Sequence, residues 1–220
     1  MQHDRWPPMR VLILGATGRV GSLALERALA ADHAVVALVR DPGALMAEHG
    51  LTVVAGDIAD ASVVGRAMRG ADAVIAALGP RGNTIEDERA LEAGMRTVMA
   101  AMQDAGVRRL VALSGAGIDV PGDRKPWLDR VASRVVRRMA SHVVGAKQRE
   151  YDVFSAADID WTALRPPLVT DGPPHGYRLD LRLKPGARVR RADVAAALVD
   201  QLTDSRFHRA APFVLPPIQP

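Results

Sequence analysis

Cysteine is absent from all 220 residues. That alone excludes disulfides, thiolate nucleophiles and cysteine-ligated zinc, and it suits a reducing compartment. Aromatic residues are only 4% of the chain, too few for the stacking platform that binds single-stranded nucleic acid. No run approaches the roughly 18–20 consecutive apolar residues that cross a bilayer. Met1 to Pro8 is polar where a secretory leader would carry an apolar stretch. Histidine and the acids nowhere fall at metal-ligand spacing, and no Gly-x-Ser-x-Gly elbow occurs, which sets aside metal and serine-hydrolase chemistry. Charge of one sign is not concentrated either. There are 29 Lys and Arg against 25 Asp and Glu, a net +4, and the pI is near 10.1. The signs are interspersed, so a small anionic ligand accounts for the excess as well as a polyanion does. The composition points to a cytoplasmic protein that engages neither membrane nor nucleic acid.

The most informative stretch lies near the start. Val11-Leu12-Ile13-Leu14 suits a buried strand and runs into Gly15-Ala16-Thr17-Gly18-Arg19-Val20-Gly21, with an amphipathic segment to Ala31. A strand, a tight glycine turn and a helix N-terminus make a pyrophosphate cradle, because unpaired amides and the positive end of the helix dipole converge there. Glycine serves where the chain turns sharply, approaches the phosphates and packs helix on strand. Further apolar runs at 34–39, 51–55, 72–78 and 109–113 alternate with helical patterns at 61–69 and 86–105, with Asp60 as a cap and Gly70 and Gly106 as stops. Strands apolar on both faces read as a parallel sheet covered by helices, a doubly wound α/β fold. Beyond it come helices expected at 127–140 and 144–157, a strand at 159–165 and a Gly-, Pro- and Arg-rich irregular stretch at 168–191 with short strands around 177–183. A helix over 191–203, capped by Asp193, and a run at 212–215 close the chain. One dinucleotide-binding domain over 1–220 is expected, with 168–191 as its substrate mouth.

Ligands of open α/β sheets bind beyond the carboxyl ends of the strands. Arg40 stands at the end of the second strand, where an acid would grip the ribose hydroxyls of NAD and an arginine favours the 2′-phosphate of NADP. Arg19 in the glycine turn is a second candidate for that phosphate. Asp41 next door keeps NAD open, and NADP(H) is favoured over NAD(H). Asp57, with Ile58 beside it, follows the third strand on the adenine side. Leu78 and Gly79 end the fourth strand, leaving room for the cofactor, and Ser114 ends the fifth with a hydroxyl for the nicotinamide or a substrate carbonyl. Lys147 belongs to the helix before the sixth strand, with Glu150 as an i+3 surface partner. His142, His175 and Tyr177 are candidate acids. The arginine face Arg130, Arg134, Arg137 and Arg138 reads as a solvated helix surface.

These residues together resemble the atypical short-chain dehydrogenase/reductase family. The narrower likeness is to its NAD(P)H-binding group, which includes biliverdin IX-beta (flavin) reductases and NmrA-like proteins. The resemblance runs through Gly15–Gly21, Leu38-Val-Arg-Asp41, Val54-Ala-Gly-Asp57, Ala76-Ala-Leu-Gly79, Gly106–Ser114, Lys147, Asp160–Pro166 and Arg191–Ala195. It implies that Gly15, Gly18, Gly21, Arg40 and Asp57 hold the cofactor; the turn and strand-end reading adds Thr17, Arg19, Val20, Ile58, Leu78, Gly79, Ser114 and Lys147 to that set, with Ser114 and Lys147 as the expected catalytic residues. Two departures bear on mechanism. The family's Tyr-x-x-x-Lys pattern has Val143 in the tyrosine position, and the histidine that flavin reductases carry after Pro-Pro is Leu168 here. The resemblance therefore implies an NADPH-dependent oxidoreductase passing hydride to a flavin, quinone or similar small planar acceptor. Its alternative is an NmrA-like NADP(H)-binding redox sensor without turnover. The expected partner is a small-molecule acceptor, and the chain is expected to be a monomer or homodimer.

Overall fold

Strands apolar at successive positions must be covered on both faces. In the computed structural model, which describes residues 8–123 and 141–218, β1 (Arg10–Leu14), β2 (Ala34–Val39), β3 (Leu51–Ala55), β4 (Ala73–Ala76), β5 (Arg109–Leu113) and β6 (Asp160–Leu164) form one sheet. All its ladders are parallel, in the order β3-β2-β1-β4-β5-β6. Its helices are α1 (Gly21–Ala30), α2 (Ala61–Met68), α3 (Ile85–Ala105), α4 (Ser141–Ser155) and α5 (Arg191–Asp200). Side chains alternate across each strand, so the core divides into two layers. Val11, Ile13, Val35 and Ala37 pack with Leu25 of α1 and Leu198 of α5. Leu12, Leu14, Val36 and Leu38 pack with Val64 of α2, Met95 of α3 and Phe154 of α4. Chain order reverses between β1 and β4, and the crevice above that switch point is where such sheets bind ligands.

Capping follows the expected chemistry at α2, where the Asp60 carboxylate accepts from the amides of Ser62 and Val63. Thr84 and Asp87 form a reciprocal capping box at the start of α3, which ends on Gly106 at φ +69°. Two buried arginines fasten the far edge of the sheet. Arg109 donates to the carbonyls of Gln201 and Asp160 and to Thr162 Oγ1, and burial pushes its pKa down to about 10. Arg165 makes a forked pair with Asp123 at 2.5 and 2.8 Å and lies 3.9 Å over the Phe213 ring. Between α3 and α4, Glu88 accepts from Arg149 Nε at 3.0 Å and shares a 2.7 Å hydrogen bond with His142 Nδ1.

Several expectations are corrected. The segment 168–191 holds the short strand expected around 177–183, β8 (Arg178–Asp180), but also two unexpected ones, β7 (Leu168–Thr170) and β9 (Arg188–Arg190), with β7 paired to β9 and β8 paired to β10 (Phe213–Leu215). Three-residue strands are too short to display an alternation. β4 ends at Ala76 rather than Leu78, α4 runs 141–155 rather than 144–157, and α5 ends at Asp200. Asp193 does not cap α5. Its carboxylate turns to the amides of His175 and Gly176, and Arg190 begins the helix without a side-chain cap. The expected helix at 127–140, with Arg130, Arg134, Arg137 and Arg138, lies outside the described residues. Among the described residues no helix is long and apolar enough to cross a membrane.

Two outcomes test this packing. Tyr151, Phe154 and Trp161 meet with ring centroids 5.5 and 5.6 Å apart. Phe154→Ala should therefore cost about 3–5 kcal/mol in urea unfolding. Burial works to raise the Glu88 carboxyl, but its bonds to His142 and Arg149 outweigh this and hold it below the ordinary 4.5. The folded chain thus binds that proton more weakly than the unfolded chain. The resulting stability is full above pH 4.5 and is lost as pH falls through the lowered value. In Glu88→Gln the acid-side decline in unfolding free energy should be shallower than in the wild type.

Candidate functional site

Above the switch point the backbone leaves no room for side chains. Gly15 has φ +81°, and a Cβ there would lie 2.5 Å from the Ala77 carbonyl oxygen. A Cβ on Gly21 would lie 2.0 Å from the Gly15 carbonyl oxygen. Gly18 closes the turn by donating its amide to that same oxygen at 2.9 Å. α1 starts at once, with no side-chain cap and no acid in its first turn, so its N-terminal dipole and amides face an incoming anion unopposed. Val20 turns its side chain into the α1/α5 core and offers the turn only its backbone.

The crevice is a cavity of about 470 Å³ whose lining includes Gly15, Thr17, Gly18, Arg40, Asp57, Ile58, Leu78 and Gly79. Eight of the sequence-derived candidates thus meet in one space. Arg40 is exposed there and has no side-chain partner among the described residues. Asp41 accepts from Gly43 N at 2.9 Å, which turns it into its own turn. Asp57 accepts from Ala59 N at 3.0 Å and pairs with Arg81 through its other oxygen. Sequence reasoning missed Arg81. Only its place two residues beyond Gly79 marked it, and the turn 79–82 read simply as a strand stop. Ile58 reaches the crevice because Gly94 of α3 lies against it, where a Cβ would come within 2.4 Å of Ile58 Cδ1. Arg19 is not in the lining. Its guanidinium pairs with Asp171 at 2.9 Å, and Arg191 pairs with the same carboxylate at 2.7 Å.

At the carboxyl end of β5, Ser114 donates its amide to the Leu164 carbonyl at 2.8 Å. The residue is only 7% exposed, and its Oγ is buried with no hydrogen-bond partner. A buried hydroxyl left unpaired costs about 1–3 kcal/mol, which makes Ser114 Oγ a candidate contact for a bound group. Lys147 arrives from α4 and spends all three of its protons: 2.6 Å to the Leu78 carbonyl, 2.5 Å to the Leu113 carbonyl and 2.6 Å to Glu150 Oε2. The expected i+3 partner is present, but Glu150 is buried rather than on the surface. Burial raises its carboxyl while Lys147 works to lower it. Val143, one turn before Lys147, and Leu168 are exposed apolar residues. The remaining candidate acids are engaged elsewhere. His142 bonds Glu88, and Tyr177 donates to Asp200 at 2.6 Å. His175 meets Asp193 through its backbone amide. Among the described residues no acid and histidine cluster could hold a metal.

A doubly wound parallel sheet with a glycine turn at its switch point defines a dinucleotide-binding Rossmann-type fold. Comparison carries this one step further: the chain belongs to the NAD(P)H-binding family, whose model matches residues 15–205. It is similar to ChuY, an anaerobillin reductase from Escherichia coli O157:H7, with 26% identity, a TM-score of 0.78 and coverage of 96% of this chain and 99% of that one. A short-chain dehydrogenase/reductase from Veillonella parvula, solved in complex with NADP, shares the fold at 20% identity and a TM-score of 0.76, over 95% of each chain. Photosystem II assembly factor Ycf39 of Synechocystis is 34% identical over 109 residues. That stretch is 48% of this chain and 33% of the assembly factor, so the match spans a third of its length. The turn suits a dinucleotide's pyrophosphate on the chain's own geometry: Gly15 and Gly21 are packed on backbone too closely for any Cβ, and α1 starts with no side-chain cap over its amides.

Gly21→Val should abolish binding of NADPH in a fluorescence titration, because its side chain must displace the Gly15 carbonyl.

Proposed function

We propose that the protein is an NADPH-dependent reductase of a small planar acceptor such as a flavin, a quinone or an open-chain tetrapyrrole. The observation that carries the reading is the buried, unpartnered Ser114 hydroxyl at the carboxyl edge of the sheet that also holds the glycine cradle. Likeness to an anaerobillin reductase over the full length supports this acceptor class. In this reading Gly15, Thr17, Gly18, Val20 and Gly21 take the pyrophosphate through their backbone. Arg40 takes the 2′-phosphate and Asp57 and Ile58 line the adenine side. The preference for NADP is supported by the Arg40 guanidinium, which has no side-chain partner among the described residues, and by Asp41, whose Oδ1 is engaged by the Gly43 amide. Arg19 joins Arg40 on that phosphate only by leaving Asp171.

When bound, the cofactor supplies a hydride equivalent at the Ser114 end. Ser114 orients the nicotinamide or the acceptor, and Leu78 and Gly79 give it space. Lys147, saturated by two carbonyls and Glu150, holds the ends of β4 and β5 together, and its fixed positive charge lies beside the reacting pair. No tyrosine stands one turn before it, so the proton for the reduced acceptor comes from water. That suits acceptors whose reduction depends on stacking and orientation.

The absent tyrosine also favours a second reading, a redox sensor that binds NADP(H) without turnover. Titration with NADPH and NADH, followed by oxidation of bound NADPH with FMN, a quinone and biliverdin, separates the two. Turnover of any acceptor supports the reductase. Tight binding with no turnover across the panel supports the sensor, and no binding removes both. Arg40→Ala should raise the Kd for NADPH about tenfold, or 1.4 kcal/mol, and leave that for NADH nearly unchanged.

A further inference from the structure

The β7–β9 ribbon presents a face that the reading above leaves unused. Its register pairs Leu168 with Arg188, Val169 with Val189 and Thr170 with Arg190. Paired residues of a parallel ladder share a face, so the ribbon is two-sided. Val169 and Val189 turn inward to the α1/α5 core. Leu168, Thr170, Arg188 and Arg190 lie on the opposite side, where Leu168 is 51% exposed. An aliphatic side chain and a guanidinium thus stand side by side on one surface. Arg190 is committed to the Asp171 carbonyl at 2.7 Å and to Thr170 Oγ1 at 3.3 Å. Arg188 is exposed and has no side-chain partner among the described residues. A cavity of about 300 Å³ opens beside it, lined also by Thr170, His175 and Arg190. Asp193 is the one acid of that cavity, and its carboxylate is already occupied by the amides of His175 and Gly176.

Two contacts tie the ribbon to the site. At its start Ala187 joins Phe213 and Leu215 in a small apolar cluster against which Ala116 packs, two residues beyond Ser114, and Ala116 donates its amide to the Pro166 carbonyl. At its end Asp171 holds Arg19 of the glycine turn. We propose that this outer face is the acceptor's anion subsite, with Leu168 against the ring and Arg188 paired to a phosphate or carboxylate that the ring carries. The inference rests on the reductase reading for its ring acceptor and adds the acceptor's charge. An exposed guanidinium with no competing carboxylate makes charge-assisted, forked bonds to either oxyanion.

FMN and riboflavin test it, because they share one ring system and differ in a phosphate. Their Kd values are measured by flavin fluorescence quenching with NADP present, and NADPH oxidation is followed separately. In the wild type FMN should bind about tenfold more tightly than riboflavin. In Arg188→Ala the FMN-to-riboflavin ratio should fall close to one, and in Arg188→Lys it should be partly kept. NADP affinity and thermal unfolding check that each variant is folded. Equal binding of the two flavins by the wild type overturns the subsite, as does equal weakening of both by Arg188→Ala. If neither flavin binds, the same comparison between 1,4-naphthoquinone and its 2-sulfonate decides, and equal or absent binding of that pair overturns it too. Arg188-dependent FMN binding without turnover keeps the subsite and removes the reductase. Turnover without discrimination keeps the reductase and removes the subsite.

Discussion

The structure depends on a close approach of backbone to backbone at the end of β1. The turn 15–21 folds so tightly that neither Gly15 nor Gly21 has space for a methyl group against the Ala77 and Gly15 carbonyls. That contact sets the start of α1 over the sheet, and with it the direction of the helix dipole. It also fixes the distance between the β1 and β4 ends, and so the width of the crevice. Side-chain packing elsewhere tolerates exchange of one apolar residue for another. A carbonyl oxygen at 2.0–2.5 Å from a would-be Cβ does not.

A second constraint sits at the other end of the crevice. Lys147 and Glu150 form a buried ion pair. Such a pair brings little net stability, because both charges lose their hydration. Its cost is offset here by the two strand-end carbonyls that complete the ammonium's shell. The result is a brace across β4 and β5 and a localised positive charge near Ser114. Glu150 Oε1 stays buried and unpartnered, so the carboxylate has no second anchor and is oriented by Lys147 alone.

Charge around the site is sorted by position. Arg40 and Arg188 are open to the solvent at opposite sides, while Arg19, Arg81, Arg190 and Arg191 are each engaged by Asp171 or Asp57. Among the described residues around the crevice, Arg40 and Arg188 are thus exposed arginines without a side-chain partner. This is why a modest net +4 accompanies a site suited to small anions.

The doubly wound parallel fold, the strands around the cradle and the strand-end positions of Gly15, Gly18, Gly21, Arg40, Asp57, Gly79 and Ser114 were legible in the sequence. Doubly buried strands and glycine turns leave continuous local signals, and ligand residues of an open sheet follow the strand ends. What the sequence did not reveal is set by partners far along the chain. Arg81 meets Asp57 across the crevice, and Asp171 holds Arg19 from 152 positions away. Asp193 leaves its helix for a loop, and Glu150 is buried rather than solvated. The three-residue strands β7 and β9 carry no readable period, so the Leu168–Arg188 pairing existed only once β7 met β9. The sequence by itself determined the backbone path, because sterics and hydrophobic alternation act between neighbours. Which charges are free and which are spent was decided only by the tertiary structure, because an ion pair needs distance in space and has no signature along the chain.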